Sequence, residues 1–206
     1  MKNIILFLIP LLSLNFYSQN LSEINSDLNL TDSLTYETEV RIYQGGGITN
    51  YSSLLRMFKD KSEKWTAEFH EHYAIVVGQV ELRTEKQTLK SKNDMEFVFQ
   101  NLTRSHILDL PNESEINWKL VTHGNIEKVE RNFRGKKIEE YEFSQKKIAI
   151  LDGEGFKIQV TGWGKNNEFE YSNPDGYLKH YPEIDELIYM CEILNIIRHE
   201  FGIWKN

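Results

Sequence analysis

The chain has 206 residues, of which 40% are hydrophobic and 27% are charged. This balance is typical of one globular domain and excludes a disordered chain, and a domain of this size buries enough surface to fold without disulfides. The formal net charge of −7 argues against a nucleic-acid-binding class, because phosphate backbones repel acidic proteins.

The first residues have the pattern of a secretory signal peptide. Lys2 gives a positive start, and an apolar run extends from Ile4 to Leu14. As a helix this run spans about 16 Å, which is too short for a bilayer core of about 30 Å. We therefore predict a signal peptide over residues 1–18, cleaved near Ser18 or Gln19. The chain is then exported to the periplasm or out of the cell, and no integral membrane segment remains after cleavage.

Residues 19–34 are polar and irregular, which predicts a flexible lead into a single domain over residues 35–206. The domain opens with strand patterns, in which apolar and polar residues alternate along the chain. Four such patterns lie at 36–43, 52–60, 65–73 and 74–84. A glycine-rich loop and short polar turns join them, which predicts an antiparallel meander.

The hydrophobic period changes to that of a helix over residues 93–108. Asn93 can cap this helix, since Glu96 follows at the spacing of a capping box. A second helix is predicted from Pro182 to the residue before Gly202, because apolar residues recur on one side and acidic residues occupy the first turn. Cys191 lies on that apolar side, which indicates packing and not catalysis.

Strand patterns return between the two helices, at 116–122, 138–143, 146–151, 156–164 and 167–172. The segment NPDG, residues 173–176, is predicted to be a turn, because Pro174 presets φ and Gly176 tolerates a positive φ. Together the patterns predict an α+β fold, with a twisted antiparallel sheet of about seven to nine strands and two helices, one of them a C-terminal amphipathic helix.

A candidate metal site lies on the segment WTAEFHEHY, residues 65–73. As a strand it places Glu68, His70 and His72 in one row, and two histidines separated by one residue can both reach one zinc ion. The other side of the strand is apolar enough to anchor it in a core, so a solvated polar row without metal explains the same pattern. We favour that second interpretation and predict no cofactor.

Three aromatic residues form a candidate partner-binding patch. Trp163 lies at a predicted turn, and Tyr171 and Tyr177 flank the NPDG segment. Aromatic side chains on turns can stack on sugars or anchor a protein partner. The alternative is that the three rings cover the end of the core.

Familiar catalytic motifs are missing from the sequence. His199 and Glu200 lie on the last predicted helix, but Ile203 stands where a metalloprotease has its second histidine. There is no G-x-S-x-G pattern, so a nucleophile elbow is not indicated. We therefore predict no catalytic residue.

The C-terminal third contains the segments ILDGEGFKIQV, NEFEYSNPDGY and PEIDELIYMCEILNIIRHEFG. In these segments the chain resembles uncharacterised exported proteins of Bacteroidota, and the lead peptide ending in FYSQN is similar to their signals. The resemblance implies an exported β-rich domain. It carries no activity and no functional residues to transfer.

Three functions fit these observations. The first is an exported non-catalytic domain that binds a protein or a glycan through a sheet face or turn tips. The second is a metal-dependent enzyme centred on His70 and His72. The third is a periplasmic inhibitor or immunity-type protein that neutralises a basic partner, which the acidic charge favours. We favour the first, because no catalytic motif is present.

Overall fold

The computed structural model of the chain describes residues 21–46, 49–75, 81–150 and 153–204. The predicted signal peptide lies outside these residues. In chain order the helices and strands are α1 (Leu21–Asp27), β1 (Thr38–Gly45), β2 (Tyr51–Lys59), β3 (Trp65–Tyr73), β4 (Arg83–Leu89), α2 (Met95–Arg104), α3 (Glu113–Ile116), β5 (Val121–Phe133), β6 (Lys136–Lys147), β7 (Gly155–Gly162), β8 (Lys165–Ser172), α4 (Pro174–His180) and α5 (Asp185–Phe201).

The strands form two separate antiparallel sheets. The main sheet has six strands in the order β4-β3-β2-β1-β7-β8, and β5 pairs with β6 in a two-stranded sheet. The fold is therefore α+β with antiparallel pairing. The described residues do not form the predicted single sheet, and they contain five helices where two were predicted. In these ranges no helix combines the length and the apolar character needed to cross a membrane.

One face of the main sheet packs on the hydrophobic core. Val40 and Ile42 of the central strand β1 point to this face and are fully buried. Helices α2, α4 and α5 supply the other side of the core with residues such as Phe99, Tyr177 and Leu194. Burying one large apolar side chain contributes about 1.5–3 kcal/mol, so this face holds the sheet and the helices together.

The second face of the main sheet is covered as well, by α1 and the residues that follow it. The hydroxyl of Tyr43 donates to the side-chain oxygen of Asn25 in α1 at 2.8 Å, and Arg41 donates to the backbone carbonyl of Thr31. The prediction of a flexible lead over residues 19–34 is therefore wrong for the described part of that segment. Its backbone carbonyls satisfy a buried arginine, which fixes them on the sheet.

The strand predicted at 116–122 is also wrong, because a capping box starts a helical turn just before it. The Asn112 side chain accepts a hydrogen bond from the N–H of Ser114, and the Glu115 carboxylate accepts one from the N–H of Asn112. The chain therefore enters α3, and the strand begins only at Val121.

The NPDG segment begins helix α4 and is not an isolated turn. Pro174 occupies the first helical position, where its fixed φ suits a helix and its missing N–H costs nothing. Asn173 precedes it with a left-handed φ of 47°, and it turns the chain from β8 into the helix. Pro174, one basis of the predicted turn, thus starts α4, whereas Gly176 lies inside the helix and does not have a positive φ.

Asp94, and not Asn93, caps α2, and its carboxylate accepts hydrogen bonds from backbone N–H groups of the first helical turn. Asn93 instead donates to Glu200 of α5 through its backbone N–H and its side-chain amide, at 2.9 and 2.7 Å. Helix α5 is followed by Gly202 with a left-handed φ of 70°. These contacts join the start of α2 to the end of α5.

Two predicted strands are shifted along the chain. The pattern at 74–84 corresponds to β4 only from Arg83 onward, and residues 76–80 of that prediction lie outside the described chain. The pattern at 138–143 lies within one long strand, β6, which ends at Lys147. Of the pattern at 146–151 only residues 146 and 147 belong to β6, and residue 151 lies outside the described chain.

Candidate functional site

The predicted metal row lies on the second, covered face of the main sheet. Glu68, His70 and His72 share one side of β3, but their side chains are buried and not solvated. The prediction of a solvated row is wrong, because α1 reaches this face. His72 Nε2 lies 2.8 Å from Oδ2 of Asp27, the last residue of α1.

The three side chains of this row have different partners. Nδ1 of His72 lies 3.2 Å from the hydroxyl of Ser52, so both ring nitrogens of His72 are engaged. His70 Nε2 lies 3.3 Å from the Glu68 carboxylate. In the described ranges, no three His, Cys, Asp or Glu side chains are grouped to hold a metal ion. The metal site therefore gains no support from the geometry of this row.

Two cations lie beside the Glu68 carboxylate. Lys86 Nζ is 2.7 Å away and Arg56 is 3.9 Å away. Burial alone would raise the pKa of Glu68, but the hydrogen bond and charge of Lys86 hold it below its ordinary value. Burial lowers the pKa of His70 against the opposing effect of Glu68, which favours the neutral ring. The positive charges of Lys86 and Arg56 would repel a divalent metal ion.

A fully buried carboxylate, Glu39, lies on the same face. Its Oε1 accepts hydrogen bonds from Nε of Arg41 and Nε of Arg56, each at 2.8 Å. Its Oε2 accepts from the backbone N–H groups of Thr35 and Tyr36, at 2.7 and 3.1 Å. Burial alone would raise the pKa of Glu39, but these donors lower it. The network joins the N-terminal segment to the sheet, and we assign it a structural role.

The predicted aromatic patch is not assembled on the surface. Tyr171 is 1% exposed and its hydroxyl donates to the carbonyl of Pro111 at 2.9 Å, and Tyr177 is also buried. Trp163 is 62% exposed at the β7–β8 turn, where its ring packs against Phe99 at a centroid distance of 5.6 Å. Of the three residues, Trp163 is therefore the one that lies on the surface.

Cys191 lies among the buried side chains of α5. Burial raises the pKa of its thiol to about 12. A thiol that stays protonated at neutral pH is a poor nucleophile, so its environment fits packing and not catalysis.

A long, exposed hairpin extends from the rest of the molecule. It consists of β5 and β6, residues 121–147, and we call it the arm. Its strands have 13 and 12 residues, and nearly all of their side chains are exposed. No other described helix or strand packs extensively against the arm. Since a strand rises about 3.3 Å per residue, the arm is about 40 Å long.

Large hydrophobic side chains are exposed along the arm. It carries five of the ten such residues that are exposed in the described chain: Ile126, Phe133, Ile138, Tyr141 and Phe143. Ile126 and Phe143 lie directly opposite each other across the hairpin, and they are 72% and 60% exposed. The register places Ile126, Tyr141 and Phe143 on one face of the hairpin and Phe133 and Ile138 on the other. Exposed apolar surface of this kind is typical of a protein interaction site.

The charge of the arm differs from that of the rest of the chain. The arm carries seven Lys and Arg residues and five Glu residues, a formal charge of +2, which leaves −9 for the rest of the chain. Four of its cations lie at or next to the turn: Arg131, Arg134, Lys136 and Lys137. The tip of the arm is therefore basic, although the net charge of the whole chain is negative.

The arm was not predicted as a unit, because its turn has an unusual first residue. Arg134 and Gly135 connect the two strands with positive φ angles of 53° and 79°, and Phe133 pairs with Lys136. Two-residue hairpin loops of this kind usually begin with Asn, Asp or Gly, which tolerate a positive φ. The detectable signal was Gly135, which tolerates a positive φ, placed between two runs of mostly charged residues.

A cavity of about 350 Å³ opens at one end of the main sheet. Tyr43 and Phe156 line it with aromatic surface, and Asn112 adds a polar group. Gly45 and Gly155 are paired directly across β1 and β7, and they leave space there because neither has a side chain. Cavities of about 300–1,000 Å³ bind small ligands in many proteins.

Comparison with known proteins does not identify the chain. No protein-family model matches it, and neither curated proteins nor solved structures give a match. The resemblance to exported proteins of Bacteroidota therefore stays a prediction.

Proposed function

We propose that the chain is an exported, non-catalytic protein that binds another protein through the arm. The observation that carries this proposal is the concentration of exposed hydrophobic side chains on a hairpin that no other described helix or strand packs against extensively. The main sheet and its helices, with α5 as the predicted C-terminal amphipathic helix, present the arm. Export rests on the signal pattern of residues 1–18.

The physical chemistry of a lone hairpin supports a protein partner. An isolated two-stranded hairpin is at best marginally stable in water. Its outer edges offer unpaired N–H and C=O groups, and a partner strand can satisfy them. A glycan could stack on Phe133 or Tyr141 but would leave these edges unpaired. A protein partner therefore accounts for more features of the arm.

The tip of the arm suits an acidic surface on that partner. Arg134, Lys136 and Lys137 lie at or next to the turn, and the rest of the chain is strongly acidic. Opposite charges steer partners together and raise the rate of association. We expect binding at low salt that weakens as the salt concentration rises.

A shortened arm tests the proposal directly. His123 and Gln145 are paired across the hairpin, so joining them through Asn-Gly removes the outer arm and keeps its base. Full-length protein should capture a partner from the native cell envelope, and the shortened variant should not. Capture of the same proteins by both variants would refute the proposal.

Charge variants give a matched control for this experiment. Lys136→Glu with Lys137→Glu reverses the tip, whereas Lys61→Glu with Lys64→Glu makes the same charge change in the exposed β2–β3 turn. We expect the first pair to reduce capture and the second pair to leave it unchanged. Equal loss with both pairs would mean that net charge, and not the arm, controls binding.

A second candidate function is the binding of a small polar ligand, such as a sugar, in the cavity. The observation that favours it is the combination of aromatic and hydrogen-bonding groups around an open space. Gly45→Val would fill part of the cavity, and a β-branched residue suits a strand. A sugar that raises the melting temperature of the natural protein, but not of Gly45→Val, would support this function.

The other two functions have weaker support. A metal-dependent enzyme would need ligands around one point, and His70 and His72 have separate partners. An inhibitor of a basic protein is favoured by the charge of −9 outside the arm. It would capture a basic protein equally well with the full-length and the shortened arm, so the same experiment distinguishes it.

A further inference from the structure

The outer edge of β6 is the best-formed docking surface of the arm. In the described chain, β6 pairs with β5 alone. The register of β5 is interrupted by a bulge between His123 and Ile126, whereas β6 continues without a break from Lys136 to Lys147. Bulges protect strand edges from pairing, so β6 is the edge left open to another strand.

We propose that two copies of this chain pair antiparallel along β6, with Phe143 facing its own copy on a two-fold axis. This inference rests on the proposed function of the arm, because it names a second copy as the partner. The result is a four-stranded sheet in the order β5-β6-β6-β5. The order of charged residues along β6 is what indicates a second copy as the partner at this edge.

The register at Phe143 places opposite charges face to face. A two-fold axis between antiparallel strands requires one residue to lie opposite its own copy. With Phe143 at the centre, Glu139 faces Lys147 and Glu140 faces Lys146, and each of these pairs occurs twice. The overlap covers residues 139–147 and contains no pair of like charges.

Other residue-centred registers are poorer. With Tyr141 at the centre, Glu140 faces Glu142. Centres at residues 139, 140 and 142 place a glutamate opposite itself, and like charges directly opposite each other are destabilising. Centres at Ile138 and Ser144 avoid like charges but give shorter overlaps. The Phe143 register therefore has the longest overlap that is free of repulsion.

The same register buries apolar surface. Ile126 lies beside Phe143 across the hairpin, so the four strands carry a continuous row of two isoleucines and two phenylalanines on one face. Cross-strand pairs of aromatic and β-branched residues stabilise sheets by about 0.2–1 kcal/mol each. The basic tip of each copy also approaches the acidic remainder of the other. An interface of this size is small, so the dimer should dissociate on dilution.

Disulfide trapping tests the register. Phe143→Cys brings two Cβ atoms within about 5 Å, close to disulfide distance, whereas in Tyr141→Cys the two cysteines are about 13 Å apart. Cys191 is buried and does not compete. We expect oxidation to crosslink Phe143→Cys but not Tyr141→Cys, and to crosslink Tyr141→Cys with Gln145→Cys in a mixture. Failure of Phe143→Cys to crosslink, or equal crosslinking of Tyr141→Cys, would overturn the proposal.

A charge exchange gives a second, independent test in solution. Glu140→Lys places lysine opposite Lys146 at two points and should weaken dimerisation about tenfold by analytical ultracentrifugation. Adding Lys146→Glu should restore it, and Glu127→Lys on β5 should have no effect. No recovery in the double variant would contradict the register. A monomeric protein at every concentration would refute the dimer but not the proposed function, because the shortened arm tests partner capture separately.

Discussion

Glu39, Arg41 and Arg56 form a buried group of charges at the centre of the second sheet face. Each charge has partners, so the group is tolerated in a medium where an unpaired ion would be very costly. Removing one member leaves the others without compensation. This asymmetry makes the group a sensitive point for stability.

We predict that Glu39→Ala lowers the free energy of unfolding by about 3–5 kcal/mol, because two arginines lose their shared carboxylate. Urea denaturation measures this change. Glu37→Ala, two residues earlier and exposed, is the matched control and should change stability by less than about 0.5 kcal/mol. Similar losses in both variants would show that the buried group contributes nothing specific.

His70 should make stability depend on pH. Burial holds its folded pKa below the ordinary value of 6.5, so the unfolded chain binds the proton more tightly. Its contribution is complete above pH 6.5 and is lost as the pH falls through the folded pKa, with a slope of at most about 1.4 kcal/mol per pH unit. We expect His70→Gln to reduce this slope in denaturation curves between pH 7 and pH 5. An unchanged slope would contradict the assignment.

The carboxylates add a second window at lower pH. The folded pKa values of Glu39 and Glu68 lie below the ordinary value of 4.5. The stability that they contribute is present above pH 4.5 and is lost as the pH falls through their folded pKa values. The loss below pH 4.5 should therefore be shallower in Glu39→Gln than in the natural protein.

Among the elements, α1 and the arm differ in how they are attached to the rest of the molecule. Helix α1 is short but is fixed by Asn25 and Asp27, which bind Tyr43 and His72 of the main sheet. The arm is long but is held almost entirely by its own strand pairing. We therefore expect helix α1, and not the arm, to contribute to global stability.

Asn25→Ala should release α1 from the sheet. The buried hydroxyl of Tyr43 would lose its 2.8 Å acceptor, at a cost of about 1–3 kcal/mol. Limited proteolysis should then cut the N-terminal segment faster than in the natural protein. Ser26→Ala, at an exposed position of the same helix, should leave the cleavage rate unchanged.

Shortening the arm should leave the fold intact. Because no other described helix or strand packs extensively against the arm, we expect the free energy of unfolding of the shortened variant to lie within about 1 kcal/mol of that of the natural protein. Amide hydrogen exchange should be fast in the arm of the monomer and slow in the main sheet. A large loss of stability would mean that the arm is part of the core.

For the whole molecule, the sequence predicts the fold class and the position of several strands, because alternation along β1 and β3 follows directly from their pleat. It does not predict that the polar side of these two strands is buried as well. Arg41 and His70 have the residue types of surface positions, but the preceding segment places Thr31 beside Arg41 and the adjacent strand β4 places Lys86 beside His70. The arm was divided between separate predictions, because Arg134 does not have the residue type expected at its turn.

The distribution of charge and apolar surface also belongs to the whole molecule. A basic, partly apolar arm projects from an acidic remainder. Total charge alone suggested that the chain repels acidic partners. The separation of charge instead allows the arm to approach an acidic surface, including that of a second copy.

Photo-crosslinking in living cells tests the role of the arm most directly. A photoreactive amino acid replaces Phe133 at the arm tip in one variant and Trp163 at the β7–β8 turn in another, since both side chains are exposed. We predict a discrete crosslinked protein from position 133 and none from position 163. Crosslinks from position 163 alone, or none from position 133 in folded and exported protein, would contradict the arm as the binding element.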